Sequence, residues 1–109
     1  MIQITVCKNQ ANEYTAFQCM GHAEYDVSGK DIICSAVSAL VINTINSVEQ
    51  FTTDKFTLDT DHEEGLIRFT LEEDYSQSSL LLLRSLVLGL QGIQQNYGTE
   101  YIMLKFKEV

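Results

Sequence analysis

Residues 76–96 constrain the fold more than any other stretch of the chain. Leu80 to Leu83, Leu86, Val87, Leu88, Leu90 and Ile93 spread apolar side chains over more than one face of the helix that their spacing predicts. A helix of that kind needs cover on several sides, and 109 residues leave little chain to provide it. A sheet, a second helix and a partner subunit are the available sources, so a homodimer is expected. The stretch from Leu80 to Ile93 is too short to span a bilayer and contains Arg84, so no membrane partner is expected.

The remaining periodicities supply that sheet and that second helix. Ile2, Ile4 and Val6 alternate with polar neighbours, and Tyr14 to Met20 is rich in β-prone residues, so the two segments predict a hairpin. From Ile33 to Phe51 the period changes. Ile33, Val37, Leu40, Val41, Thr44 and Val48 recur at three- and four-residue spacing, which predicts a helix with Asp31 as its N-cap. Lys55 to Asp59 and Leu66 to Leu71 alternate again around an acidic turn, a second hairpin. Tyr101 to Val109 predicts a closing strand with Ile102, Leu104 and Phe106 on one face. The order β-β-α-β-β-α-β implies an α+β two-layer sandwich, a mainly antiparallel sheet carrying two helices, in one domain spanning 1–109.

Charge narrows the classes of partner. Fifteen acidic against seven basic side chains give a formal net charge of −8, the wrong sign for neutralising phosphates and the right sign for steering a basic partner. The first residues lack the basic segment and apolar run of a signal peptide. Three cysteines without close pairs do not form a disulfide framework, and they fit a reducing compartment. A cytoplasmic protein is expected, with no cofactor and no direct contact with nucleic acid.

One short region concentrates the reactive side chains. His22 falls where the second strand ends, between Gly21 and a loop of about ten residues that passes Gly29. Cys34 falls in the first turn of the following helix if Asp31 caps it. Unpaired backbone N–H groups and the positive end of the macrodipole favour a thiolate there and offer donors to an oxyanion. Lys30 adds a positive charge that Asp31 offsets. Histidine is the commonest base for activating a thiol. The residues themselves leave two readings open, a thiol–imidazole pair or a capping histidine beside a core cysteine. Cys19, His22 and Cys34 form at most a weak zinc set, because no Cys-x2-Cys pair accompanies them. Cys7 and Cys19 read as structural, and His62 reads as a solvated turn residue.

Gly21-His22-Ala23 followed by Asp31-Ile32-Ile33-Cys34-Ser35-Ala36-Val37-Ser38 resembles the paired motifs of the bacterial ribosomal-processing cysteine protease family, Prp. The resemblance extends over the whole chain, including the element order and the leucine-rich second helix. Ile33 stands where valine is frequent and Ser35 where alanine is. It implies a homodimeric cysteine endopeptidase that removes the N-terminal extension of a large-subunit ribosomal protein during ribosome assembly, cutting after an apolar, phenylalanine-containing stretch. Cys34 is then the nucleophile and His22 the general base and acid. Asp31 and Ser38 support the site, with Gly21 and Gly29 shaping the loop, and no metal takes part. The alternative is a non-catalytic dimeric factor that binds the ribosome, with Cys34 and His22 structural.

Overall fold

A computed structural model describes the backbone of residues 1–21 and 28–109, and the side chains among these except for residues 28–31. Among the described residues seven elements follow one another: β1 (Ile2–Lys8), β2 (Tyr14–Met20), α1 (Ser28–Phe51), β3 (Phe56–Asp61), β4 (Leu66–Leu71), α2 (Gln77–Tyr97) and β5 (Ile102–Glu108). They form one five-stranded sheet in the order β3-β4-β2-β1-β5. Three pairings are antiparallel, β1 with β2, β2 with β4 and β3 with β4, and one is parallel, β1 with β5. Both helices pack on the same face of the sheet and against each other, the α+β sandwich anticipated above.

Alternation in the strands decides which face is covered. Ile2, Ile4 and Val6 of β1, Phe17 and Cys19 of β2, and Phe69 and Leu71 of β4 all point into the core. The register sets Val6 opposite Phe17, Phe17 opposite Phe69 and Ile4 opposite Cys19, so one apolar stripe crosses the sheet. Phe69 stacks on Phe17 with ring centroids 5.1 Å apart and meets Phe56 at 4.9 Å. From above, α1 contributes Ile33, Val37, Val41, Ile45 and Val48. Thr44 shares the buried stripe because its hydroxyl donates to the Leu40 carbonyl at 2.7 Å.

The long apolar helix is α1, not the segment singled out from sequence. Over Ile32–Phe51 it is long and apolar enough to cross a bilayer by length and composition alone. Its buried stripe lies on the sheet, as in the core helix of a globular fold. In α2, Leu80, Leu83, Leu86, Val87 and Leu90 are covered within the chain, leaving Leu81 and Leu88 exposed. Helix α2 approaches α1 where Gly89 faces Leu40, so closely that a Cβ on Gly89 would lie 2.8 Å from Leu40 Cδ1. Gly92 has open space around it, with nothing within 4 Å of an added Cβ. Gly92→Ala is therefore expected to stabilise the protein by about 0.5–1 kcal/mol, the helix-interior cost of glycine, read as a higher Tm.

The start of α2 is held by a carboxylate from another segment. Ser76 is the N-cap, accepting from the Ser79 N–H at 3.3 Å. Asp54 Oδ2 accepts from the Ser76 N–H at 2.8 Å, from the Ser76 hydroxyl at 2.6 Å and from the buried Ser79 hydroxyl. The Ser76 hydroxyl, then that of Ser79, then the Ser76 amide hold the Asp54 carboxyl below its ordinary range. A depressed pKa adds stability above the unfolded-state value near 4 and loses it as pH falls through the folded value. Asp54→Ala is thus expected to cost about 1 kcal/mol or more at neutral pH, because the hydrogen bonds from Ser76 and Ser79 to a charged acceptor are lost while the Ser76 cap remains. The difference from wild type should shrink as pH falls below 4, followed by urea unfolding across pH 3–7.

Candidate active-site cleft

The end of β2 decides where a site can form. The pairing of Cys19 with Ile67 puts the exit of β2 beside the start of β4, and so beside the turn that joins β3 to β4. The N-terminal part of α1 runs over the same corner. Between them is a cavity of about 270 Å³ with an apolar floor of Ile2, Val37, Leu66 and Ile67. Cys34 and Ser38 line it from α1, Cys19 and Gly21 from β2 and its exit, and Thr60, Asp61 and His62 from the second hairpin. Cys34 and Ser38 share a helix face, being four residues apart. The cavity is at the small end of small-molecule sites, which run from about 300 to 1,000 Å³, and suits one or two side chains of an extended peptide.

Three cysteines differ sharply in what they can do. Cys7 alternates with the buried Val6 and so points to the opposite face of the sheet, away from the cleft. Cys19 is buried, and that burial, reinforced electrostatically by the neighbouring Cys34, pushes its pKa up to about 11. At neutral pH it is a neutral thiol and a poor nucleophile. Cys34 is half-buried, rests on the core at its base and opens on the cleft. Of the three, Cys34 alone combines access to the cleft with incomplete burial.

The helix start differs from its sequence expectation. Helix α1 begins at Ser28, so Asp31 lies within it and is not the N-cap, and Gly29 is helical instead of a flexible point in the loop. Apolar periodicity marks only turns that touch the core, and the polar first turn from Ser28 to Asp31 carries no such mark. Cys34 consequently sits in the second turn, about 9 Å along the axis from Ser28 at 1.5 Å per residue. An amide at that depth is paired within the helix, so the unpaired donors belong to the turn before Cys34. His22, expected as base and also counted in the weak zinc set, lies outside the described residues. Among the described residues, no cluster of three His, Cys, Asp or Glu side chains is placed to hold a metal ion.

Gly21 closes the corner. Its φ of 114° is a conformation that side-chain-bearing residues rarely adopt, and an added Cβ would collide with the Met1 carbonyl oxygen. His62, read from the sequence as a solvated turn residue, was not expected at the site. It is exposed in its turn, as expected, yet it also forms part of the cleft wall. Nothing local in residues 60–65 marks this, because only the pairing of β2 with β4 brings that turn beside Cys34.

Known proteins match the chain over nearly all of its length. The family model described as cysteine protease Prp matches residues 1–102. The ribosomal processing cysteine protease Prp of Bacillus subtilis is 27% identical over 101 residues, covering 89% of this chain and 90% of that protein. A crystal structure of the essential ribosomal processing protease Prp from Staphylococcus aureus, with a covalently linked product peptide, is 25% identical. It superposes with a TM-score of 0.88 and covers 98% of this chain and all of that one. A Streptococcus mutans protein of known structure is 26% identical, with a TM-score of 0.89 over 100% of this chain and 96% of its own.

Proposed function

Because the chain belongs to the cysteine protease Prp family, we propose that it removes the N-terminal extension of a large-subunit ribosomal protein, with Cys34 as nucleophile and His22 as general base. The observation that carries this reading is the position of Cys34, a half-buried thiol on the wall of a peptide-sized cleft. Gly21, which immediately precedes His22, belongs to the same wall. The Staphylococcus aureus relative was captured joined covalently to a product peptide, which supports the same kind of chemistry here.

In this mechanism His22 takes the thiol proton and the Cys34 sulfur attacks the scissile carbonyl. Collapse of the tetrahedral intermediate breaks the C–N bond. The leaving amine receives the proton from His22, and a thioester remains on Cys34. Water, deprotonated by His22, then attacks that thioester, releasing the second product and restoring the thiol. Ser38, on the same helix face and in the same cleft, supports the site, and Asp31 lies one turn before Cys34. The net charge of −8 favours approach of a basic ribosomal protein.

A homodimer in the cytoplasm completes the proposal. Leu81 and Leu88, two turns apart on α2, stay exposed and flank shallow depressions that Tyr14 and Arg84 also line. The test of function is incubation with the extended ribosomal protein, with the products weighed by mass spectrometry. Appearance of one shortened protein with a single new N-terminus is expected, and an intact precursor after prolonged incubation would refute the assignment.

A further inference from the structure

The cleft carries an asymmetry of charge that the catalytic reading leaves unused. Among its described lining residues Asp61 is the one carboxylate, and no lysine or arginine accompanies it. Arg68 of β4 is set opposite Asp59 by the β3–β4 register and donates from Nε to Gln18 at 3.1 Å, while Asp61 is set opposite Leu66. Asp61 reaches the cleft from the second hairpin, whereas Cys34 reaches it from α1, so the two stand on different walls of one small cavity.

We infer that Asp61 is a specificity-determining residue, selecting a cationic side chain, lysine or arginine, at one position of the bound peptide close to the scissile bond. This rests on the endopeptidase reading above. Asp61 is exposed, so salt weakens its field, yet a cation bound in a cavity of about 270 Å³ lies within the Debye length of about 8–10 Å and still feels it. An extended peptide advances about 3.3 Å per residue, which puts the favoured position within about three residues of the bond attacked by Cys34. The apolar floor of Ile2, Val37 and Leu66 accepts the flanking apolar side chains, and the Asp61 wall discriminates by charge. An acidic residue at the favoured position is rejected by the same field.

The test uses the full chain and synthetic decapeptides with a central phenylalanine-containing segment, in which Ala, Lys or Glu is moved singly through each flanking position. The expected kcat/KM favours Lys over Glu at one position by about fivefold to tenfold, the size of one exposed ion pair gained against one repulsion. Asp61→Lys should reverse that preference at that position and leave the others unchanged. Asp61→Asn, which keeps the side-chain oxygen that accepts from the Glu63 amide at 3.0 Å, should abolish it without disturbing the turn. Binding of the same peptides to the Cys34→Ala variant, with and without the Asp61 changes, reads the preference without catalysis. A preference that survives Asp61→Lys unaltered, or no preference at any position in cleavage or binding, overturns the inference. If no peptide is cut but the binding preference still reverses, the role of Asp61 stands and the endopeptidase reading fails.

Discussion

Cys34→Ala is expected to abolish peptide cleavage while leaving the protein folded. Losing the nucleophile of a thiol–imidazole pair typically removes about 10³–10⁶ in kcat, because binding and oxyanion stabilisation alone sustain only a residue of the rate. The change removes one sulfur from a half-buried position, so Tm should move by only a few degrees. His22→Ala should be nearly as inactive, and the double variant hardly worse than either single one, because groups acting as a unit are not additive. A non-catalytic ribosome-binding factor would instead show no cleavage in the wild type. Alkylation by iodoacetamide at pH 7.5, followed peptide by peptide, gives a second measurement. Cys19, with its pKa raised to about 11 by burial and by its electrostatic contact with Cys34, should stay unmodified while Cys34 reacts. Its labelling should rise about tenfold per pH unit up to that value. Equal labelling of Cys19 and Cys34 at pH 7.5 would contradict the assignment of roles.

Sheet and helix were legible in the sequence wherever one face is buried. Tyr14–Met20 and Leu66–Leu71 appear at their expected bounds because each is rich in β-prone residues and is closed by turn residues. Elsewhere the reading was looser. Strand β3 runs to Asp61, past the alternating residues, because it is extended by pairing with β4 and not by burial, its last five residues being exposed. The parallel pairing of β1 with β5 leaves no local trace, since Ile2 and Ile102 are brought together only after α2 has crossed the sheet. Phe106, expected on a buried face, is 45% exposed at the sheet edge, where it packs on Tyr14.

The site divides in the same way. Cys34 was legible as a candidate from its place after a turn signal at the head of an apolar stripe, and it lines the cleft. Its exact turn was not, since Asp31 looked like a cap while the helix begins three residues earlier. Asp61 and His62 were legible only as a polar turn. A turn acquires a neighbour across the sheet through strand order, and the order β3-β4-β2 is a tertiary outcome, fixed by Phe17 against Phe69 and not by anything in residues 60–65.

Gly21→Ala should be among the most damaging small substitutions in the chain, lowering stability and cleavage together. A side-chain-bearing residue held at a φ of 114° costs about 1–3 kcal/mol in strain. The added Cβ would also meet the Met1 carbonyl oxygen, a backbone atom with little room to retreat. The adjacent Ile2 N–H donates to the Tyr101 carbonyl at 3.0 Å, and Ile2 itself is buried against the core, so the start of β1 is tied down on both counts. A loss of about 2 kcal/mol or more follows, a fall in Tm of about 10 °C for a domain of this size. Cleavage should fall further than the folded fraction does, because the displaced backbone belongs to the cleft wall and leads directly into His22. Gly92→Ala is the matched control, the same added methyl in a helix with nothing within 4 Å, and it should raise Tm. The opposite signs isolate the cause, since both changes restrict the unfolded chain alike and differ only in what the folded backbone allows. Equal Tm shifts for the two variants would show that the corner at Gly21 is not the constraint described here.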